Sequence, residues 1–174
     1  MKKTLSILLA ILCCGVFVLF ALGSGNDEEA TVETGDAAAA TQAAESADKL
    51  TANVGDTLNA GDLKITYTAC DADFTGYNEF LAPASGNKCI RLSFSVENTG
   101  DTEHFISTLD FDCYADDVAV QAYYGGEDDL SATLSPGRKA SGSVYFEVPE
   151  NAQSLEVEYT TDYWTGSKAI FVVA

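Results

Sequence analysis

The chain has 174 residues, with 27 acids against nine bases and one histidine, for a formal net charge of −18. That balance argues against binding a nucleic-acid backbone or an anionic lipid surface, because both require Lys and Arg to displace counterions. The acidity itself is first of all a solvated surface that keeps the chain soluble.

Lys2 and Lys3 are the only charges before Asp27, and Thr4–Leu22 is almost wholly apolar. As a helix that run would reach about 28 Å, close to the thickness of a bilayer core. It is longer than an ordinary secretory apolar segment. Three outcomes are open: an uncleaved membrane anchor, which is favoured; cleavage at Ala21-Leu22-Gly23; or lipidation at Cys13 or Cys14. The cysteine pair sits in the middle of the run behind bulky residues, which suits two small apolar side chains in a membrane helix. With the lysines retained inside, each outcome exports the remainder of the chain.

Residues 1–23 are therefore expected to be a signal peptide or transmembrane anchor. Residues 24–50 form an Ala-, Thr- and Gly-containing linker with seven acids and one lysine. It has too few large apolar side chains to build a core and is expected to be a flexible, self-repelling stalk. Residues 51–174 are expected to be one domain, with 20 acids against six bases, a balance of −14.

Turn signals punctuate that domain: Val54-Gly55-Asp56, Asn59-Ala60-Gly61-Asp62, Ser85-Gly86-Asn87, Asn98-Thr99-Gly100-Asp101, Gly125-Gly126, Ser135-Pro136-Gly137 and Thr165-Gly166. Strands are expected between them at Leu63–Ala69, Ile90–Val96, Leu109–Cys113, Val118–Tyr124, Leu130–Leu134, Ala140–Val148, Leu155–Tyr159 and Ala169–Val173. Alternation assigns faces. Ile90, Leu92, Phe94 and Val96 point one way, and Arg91, Ser93 and Ser95 the other. Leu155, Val157 and Tyr159 point in, and Glu156 and Glu158 out. About eight short strands without a helical period predict an all-β fold, an immunoglobulin-like two-sheet antiparallel β-sandwich behind an apolar helix and a disordered linker.

The motifs have physical roles. Val96-x-Asn98-x-Gly100 is expected to end a strand in a turn tolerating left-handed backbone. Pro136-Gly137 fits the centre of a type II turn. Pro149 stops a strand because it has no N–H to donate.

Three cysteines fall in the domain, which allows one bridge and one leftover thiol in an oxidising compartment. Alternation turns Cys113 inward with Leu109 and Phe111, and Cys89 outward. Cys70 can turn either way. A Cys70–Cys113 bridge is favoured, followed by Cys89–Cys113 or no bridge at all.

Catalysis has little material. His104 stands beside Glu103 without a nucleophile signature, and neither zinc spacing nor a phosphate-cradling glycine loop is present. No cofactor is expected. Acid clusters offer Ca²⁺ candidates at Asp71 and Asp73 (with Glu79), at Asp116 and Asp117 (with Asp110 and Asp112), and at Asp128 and Asp129 (with Glu127). None matches an EF-hand loop, and solvated turns explain them as well. Aromatic loops give the better lead: Phe74, Tyr77 and Phe80; Tyr123 and Tyr124; Tyr163 and Trp164. Tyr77, Tyr124 and Trp164 are expected to form a shared binding surface.

"IRLSFSVENTG" (Ile90–Gly100) and "LSPGRKASGSVYFEVPE" (Leu134–Glu150), with "GNKCI", "DFDCYADD" and "YWTGSKAIFVV", resemble a large domain-of-unknown-function family over about residues 53–174. The resemblance implies an exported immunoglobulin-like domain, mostly from Gram-positive bacteria, behind a lipoprotein signal or single anchor and a low-complexity linker. Its implied fold is similar to that of the mycobacterial immunoprotective extracellular protein. Some relatives are named telomeric repeat-binding factors, which the charge here contradicts. The shared motifs carry no catalytic residues. The expected function is a non-enzymatic, envelope-tethered module for an unknown protein or glycan at the cell surface, with no nucleic acid and membrane contact only through the N-terminal helix. A calcium- or small-ligand-binding accessory domain is the alternative.

Overall fold

The computed structural model describes residues 30–34, 50–162 and 164–173. The apolar run 1–23, the other linker positions and Tyr163 lie outside the described residues. Among the described residues no helix is long and apolar enough to cross a membrane.

The described residues form twelve strands, in order β1 (Thr31–Glu33), β2 (Leu50–Ala52), β3 (Thr57–Ala60), β4 (Leu63–Phe74), β5 (Asn87–Asn98), β6 (His104–Ser107), β7 (Phe111–Ala115), β8 (Val118–Val120), β9 (Ser131–Leu134), β10 (Lys139–Pro149), β11 (Leu155–Asp162) and β12 (Ser167–Val172). The first sheet has the order β1-β3-β4-β5-β10 and the second β2-β12-β11-β7-β8, with β6 and β9 as a separate ribbon. Pairing is antiparallel except between β12 and β2.

The two sheets bury one apolar face each against the other, as period-2 alternation requires. Ile90, Leu92, Phe94 and Val96 of β5 meet Phe111 and Cys113 of β7, Val157 and Tyr159 of β11, and Phe171 of β12 in one core. Phe94 stands at its centre, with ring centroids 5.3 Å from Tyr67, 5.0 Å from Phe111 and 4.8 Å from Phe171. The Tyr67 hydroxyl donates to the Val172 carbonyl at 3.0 Å, so one side chain packs in the core and bonds across to the other sheet.

Several expectations need correction. Thr31–Glu33, assigned to the stalk, pairs with Thr57–Asn59 and extends the first sheet, and Val32 packs against the core. Two β-branched residues, Thr31 and Val32, suffice where an open strand edge supplies the backbone partners. Leu109 does not share a face with Cys113. It lies exposed in a 3-10 turn, Thr108–Asp110, whose start is fixed by a reciprocal cap between Ser107 and Asp110. The polar cap outweighs the apolar alternation there. Val118–Tyr124 is a strand only to Val120. Glu158, expected in solvent, is buried and holds the Lys168 ammonium at 2.5 Å.

The Asn98 motif also works differently. Neither Asn98 nor Gly100 has a positive φ. Asn98 is instead fully buried, and its amide bridges β5, the following turn and β9. Pro136-Gly137 behaves as expected: Gly137 has φ +73°, and Arg138 N–H donates to the Ser135 carbonyl at 3.0 Å. Gly142 is a close-approach position, since a Cβ there would stand 2.6 Å from Leu130 Cα.

Candidate binding surface

The β4–β5–β10 end of the first sheet is covered on both faces. An irregularity between Asp71 and Phe74 shifts the register of β4 and brings Phe74 opposite Cys89. Such a bulge re-aims side chains. Phe74, Cys89, Tyr123 and Tyr145 then form a second buried cluster, with Tyr77 packed against it. Cys89 is 1% exposed, so its expected outward orientation leads into this cluster and not into solvent.

Two loops cover the cluster. Residues 121–130 run along β10, with Tyr123 N–H donating to Tyr145 O at 2.8 Å and Leu130 N–H to Ser143 O at 2.9 Å. The other loop contains a 3-10 turn, Glu79–Leu81, capped by Asn78 Oδ1 on Phe80 N–H. Glu147 Oε1 accepts from Ala84 N–H and Asn87 Nδ2 and ties down the rest of that loop. The two loops are joined where the Tyr123 hydroxyl donates to the Leu81 carbonyl at 2.6 Å. Around that bond three large apolar side chains face water: Phe80 is 87% exposed, Leu81 53% and Tyr124 68%. Each lies within one residue of the bond. Beneath them Tyr77 packs edge-on to Phe74 and Tyr123 at 6.3 and 6.0 Å. Exposed apolar groups on a tightly packed aromatic bed can exclude water from a partner at little ordering cost.

Trp164 is also in solvent, at 98% exposure, but elsewhere. Tyr77 is near the end where Asn87 pairs with Pro149. β11 starts after that end and runs eight residues away, and Trp164 lies in the turn beyond Asp162. At roughly 3.3 Å per residue the separation is about 25 Å. Tyr77 and Tyr124 are thus brought into one region, and Trp164 stands apart. Leu81 went unnoticed in the sequence, where its only signal was its position beside Phe80.

Three of the acidic candidates, Asp71, Asp116 and Asp128, have structural partners. Asp71 Oδ1 accepts from Asp73 N–H, and Asp71 faces Arg91 at 3.9 Å. Asp116 and Asp117 make the β7–β8 turn with φ +49° and +64°. Asp116 also accepts from the N–H groups of Gln153 and Ser154, which holds its carboxyl below the usual range. Asp128 accepts from the hydroxyls of Tyr145 and Ser143, while burial and the Asp128 charge hold the Asp129 carboxyl above the usual range. Among the described residues no three His, Cys, Asp or Glu side chains converge on a metal-sized site. His104 opens β6 and faces Asp62 at 3.2 Å.

The Asp128 carboxyl is held below the usual range first by the Tyr145 hydroxyl and then by Ser143 and Arg91. A depressed carboxyl contributes stability above its unfolded value and loses it as pH falls through the folded value. The melting-temperature gap between the native chain and Asp128→Asn is therefore expected at neutral pH and should narrow only as pH falls below the ordinary carboxylate value of about 4. A pH-independent gap would contradict that assignment.

Cys70, Cys89 and Cys113 are all free. The expected Cys70–Cys113 bridge is not formed, although Cys70 of β4 packs against the main core that holds Cys113 of β7. Cys89 belongs to the second cluster, and Cys113 to the main core. Burial pushes both thiols up to about 12. Alkylation of native protein at neutral pH should label Cys70 and spare Cys89 and Cys113 until denaturant is added. A bridged peptide in a non-reducing map would contradict this.

Fold and surface together define a two-sheet β-sandwich that presents an apolar patch on joined loops. The chain belongs to the DUF4352 family, a domain of unknown function, which matches residues 52–170. Its fold is similar to that of the YjhA protein of Bacillus subtilis, with TM-score 0.55, 16% identity, and coverage of 70% of this chain and 98% of that one. It is similar also to MPT63, a secreted protein of Mycobacterium tuberculosis, with TM-score 0.53, 17% identity, and coverage of 73% and 99%. A third likeness is to YcdA, a candidate lipoprotein of Bacillus subtilis, with TM-score 0.51 and 16% identity; it covers 65% of this chain and only 37% of YcdA. At these identities the likeness is one of fold. No curated protein matches the chain in sequence.

Proposed function

We propose that the protein is a non-enzymatic binding module of the cell envelope that engages another protein through Phe80, Leu81 and Tyr124. The observation carrying this reading is the exposure of those three side chains around the Tyr123–Leu81 hydrogen bond. Exposed apolar groups cost solubility unless they serve contact, and aromatic anchors on rigid loops supply most of the energy of an interface. Export is supported by the apolar run behind Lys2 and Lys3, with the domain outside the membrane and either anchored or released. The secreted and candidate-lipoprotein neighbours of like fold are consistent with that location.

Capture from envelope extract tests the reading. Full-length native protein should retain a partner that Phe80→Ser and Tyr124→Ser lose, while Trp164→Ala retains it. Equal retention by all four proteins would exclude this patch as the surface.

A further inference from the structure

We infer that the segment docking on Phe80, Leu81 and Tyr124 is cationic, with lysines or arginines interleaved among apolar side chains. This rests on the binding reading above and adds the chemistry of the partner. The two loops that meet at the Tyr123–Leu81 bond span residues 75–86 and 121–130. Together they carry four carboxylates, Glu79, Glu127, Asp128 and Asp129, and no lysine or arginine, and Asp71 and Asp73 stand at the end of β4. Glu79 directly precedes Phe80, Glu127 follows Tyr124 by three residues, and both are exposed. The apolar patch is therefore rimmed by negative charge on the same elements that present it.

The neighbouring positive charge does not neutralise the rim. Arg91 sits over the Phe74 ring at 4.8 Å and faces Asp71 at 3.9 Å, which fixes it beside the inner carboxylates. Glu79 and Glu127 remain toward solvent. An acidic rim around an apolar centre steers and retains a basic segment and repels an acidic one, whose like charges would lose water without compensation. A neutral glycan stacking on the aromatics would make no use of the rim.

Fluorescence anisotropy with two labelled peptides tests this on the full-length chain in neutral detergent. One peptide alternates lysine with leucine, and the other has glutamate in place of each lysine. The lysine peptide should bind and the glutamate peptide should not. Phe80→Ser or Tyr124→Ser should weaken binding about tenfold. Glu79→Gln combined with Glu127→Gln should weaken it severalfold, as should raising salt from about 0.05 to about 0.5 M. Asp117→Asn, in the β7–β8 turn of the other sheet, should change nothing. Both serine variants alter exposed side chains, so their far-UV spectra should match the native chain.

Equal binding of both peptides, lost on Tyr124→Ser, would overturn the cationic assignment and leave the docking surface standing. Lysine-peptide binding that responds to salt but not to Phe80→Ser or Tyr124→Ser would overturn both. Absence of lysine-peptide binding overturns the cationic assignment.

Discussion

Phe94→Ala is expected to destabilise the protein by about 3–5 kcal/mol, the largest loss from any one side chain in the core. The Phe94 ring touches β4 through Tyr67, β7 through Phe111 and β12 through Phe171, so it joins three strands of both sheets to its own. Removing it forfeits the burial of a large side chain and three aromatic contacts, each worth about 0.5–1.5 kcal/mol beyond area. The loss comes in the middle of the sandwich, where neighbours pinned by backbone pairing cannot collapse into the hole. Urea unfolding of the native and variant chains measures it. Leu109→Ala, an exposed position, is the control and should change stability by less than about 0.5 kcal/mol. A loss below about 1 kcal/mol at Phe94 would contradict the placement of that ring.

Asn98→Ala is expected to cost at least about 2 kcal/mol, although it removes few atoms. The Asn98 side chain donates to Thr102 O at 2.7 Å and to Leu134 O at 2.8 Å, and accepts from Gly100 N–H at 3.0 Å. Alanine leaves the buried Leu134 carbonyl without that donor and unfastens β9 from the end of β5. Asn98→Asp should be worse at neutral pH, because a carboxylate would face two carbonyl oxygens. That environment raises the carboxyl pKa, so the aspartate variant should recover toward the alanine variant as pH falls. Melting curves of the three proteins across pH check the order. Equal stability of native and alanine chains would show that the amide does not hold the turn.

The main core was visible in the sequence because alternation alone assigns faces in long strands. Ile90 through Val96 are oriented as period 2 requires, since β5 pairs on both sides and cannot shift. What alternation cannot see is a sheet covered twice. Cys89, Ser143 and Tyr145 lie on the face turned from the main core, yet are buried because two irregular loops fold over them. No local pattern announces that cover, as it depends on a bulge in β4 and on bonds between segments 42 residues apart. Leu109 misled for the opposite reason, its apolar character being overruled by the Ser107–Asp110 cap. The proposed surface was half legible. Tyr77 and Tyr124 could be picked as loop aromatics, but their loops meet through the Tyr77–Tyr123 ring contact and the Tyr123–Leu81 bond, and Trp164 is on the β11–β12 hairpin, neither of which the local sequence announces. The acidic loops were legible as composition. Their partners, from Gln153 to Tyr145, come from distant parts of the chain.

Site-specific photocrosslinking distinguishes the proposed surface of Phe80, Leu81 and Tyr124 from the rest of the sandwich. A photoreactive residue replaces Tyr124 in one full-length chain and Asp117 in another, and both are irradiated in the source cells. A discrete adduct is expected from position 124, abolished by adding Phe80→Ser, and none from position 117. No adduct at 124, or the same adducts from both positions, would contradict it.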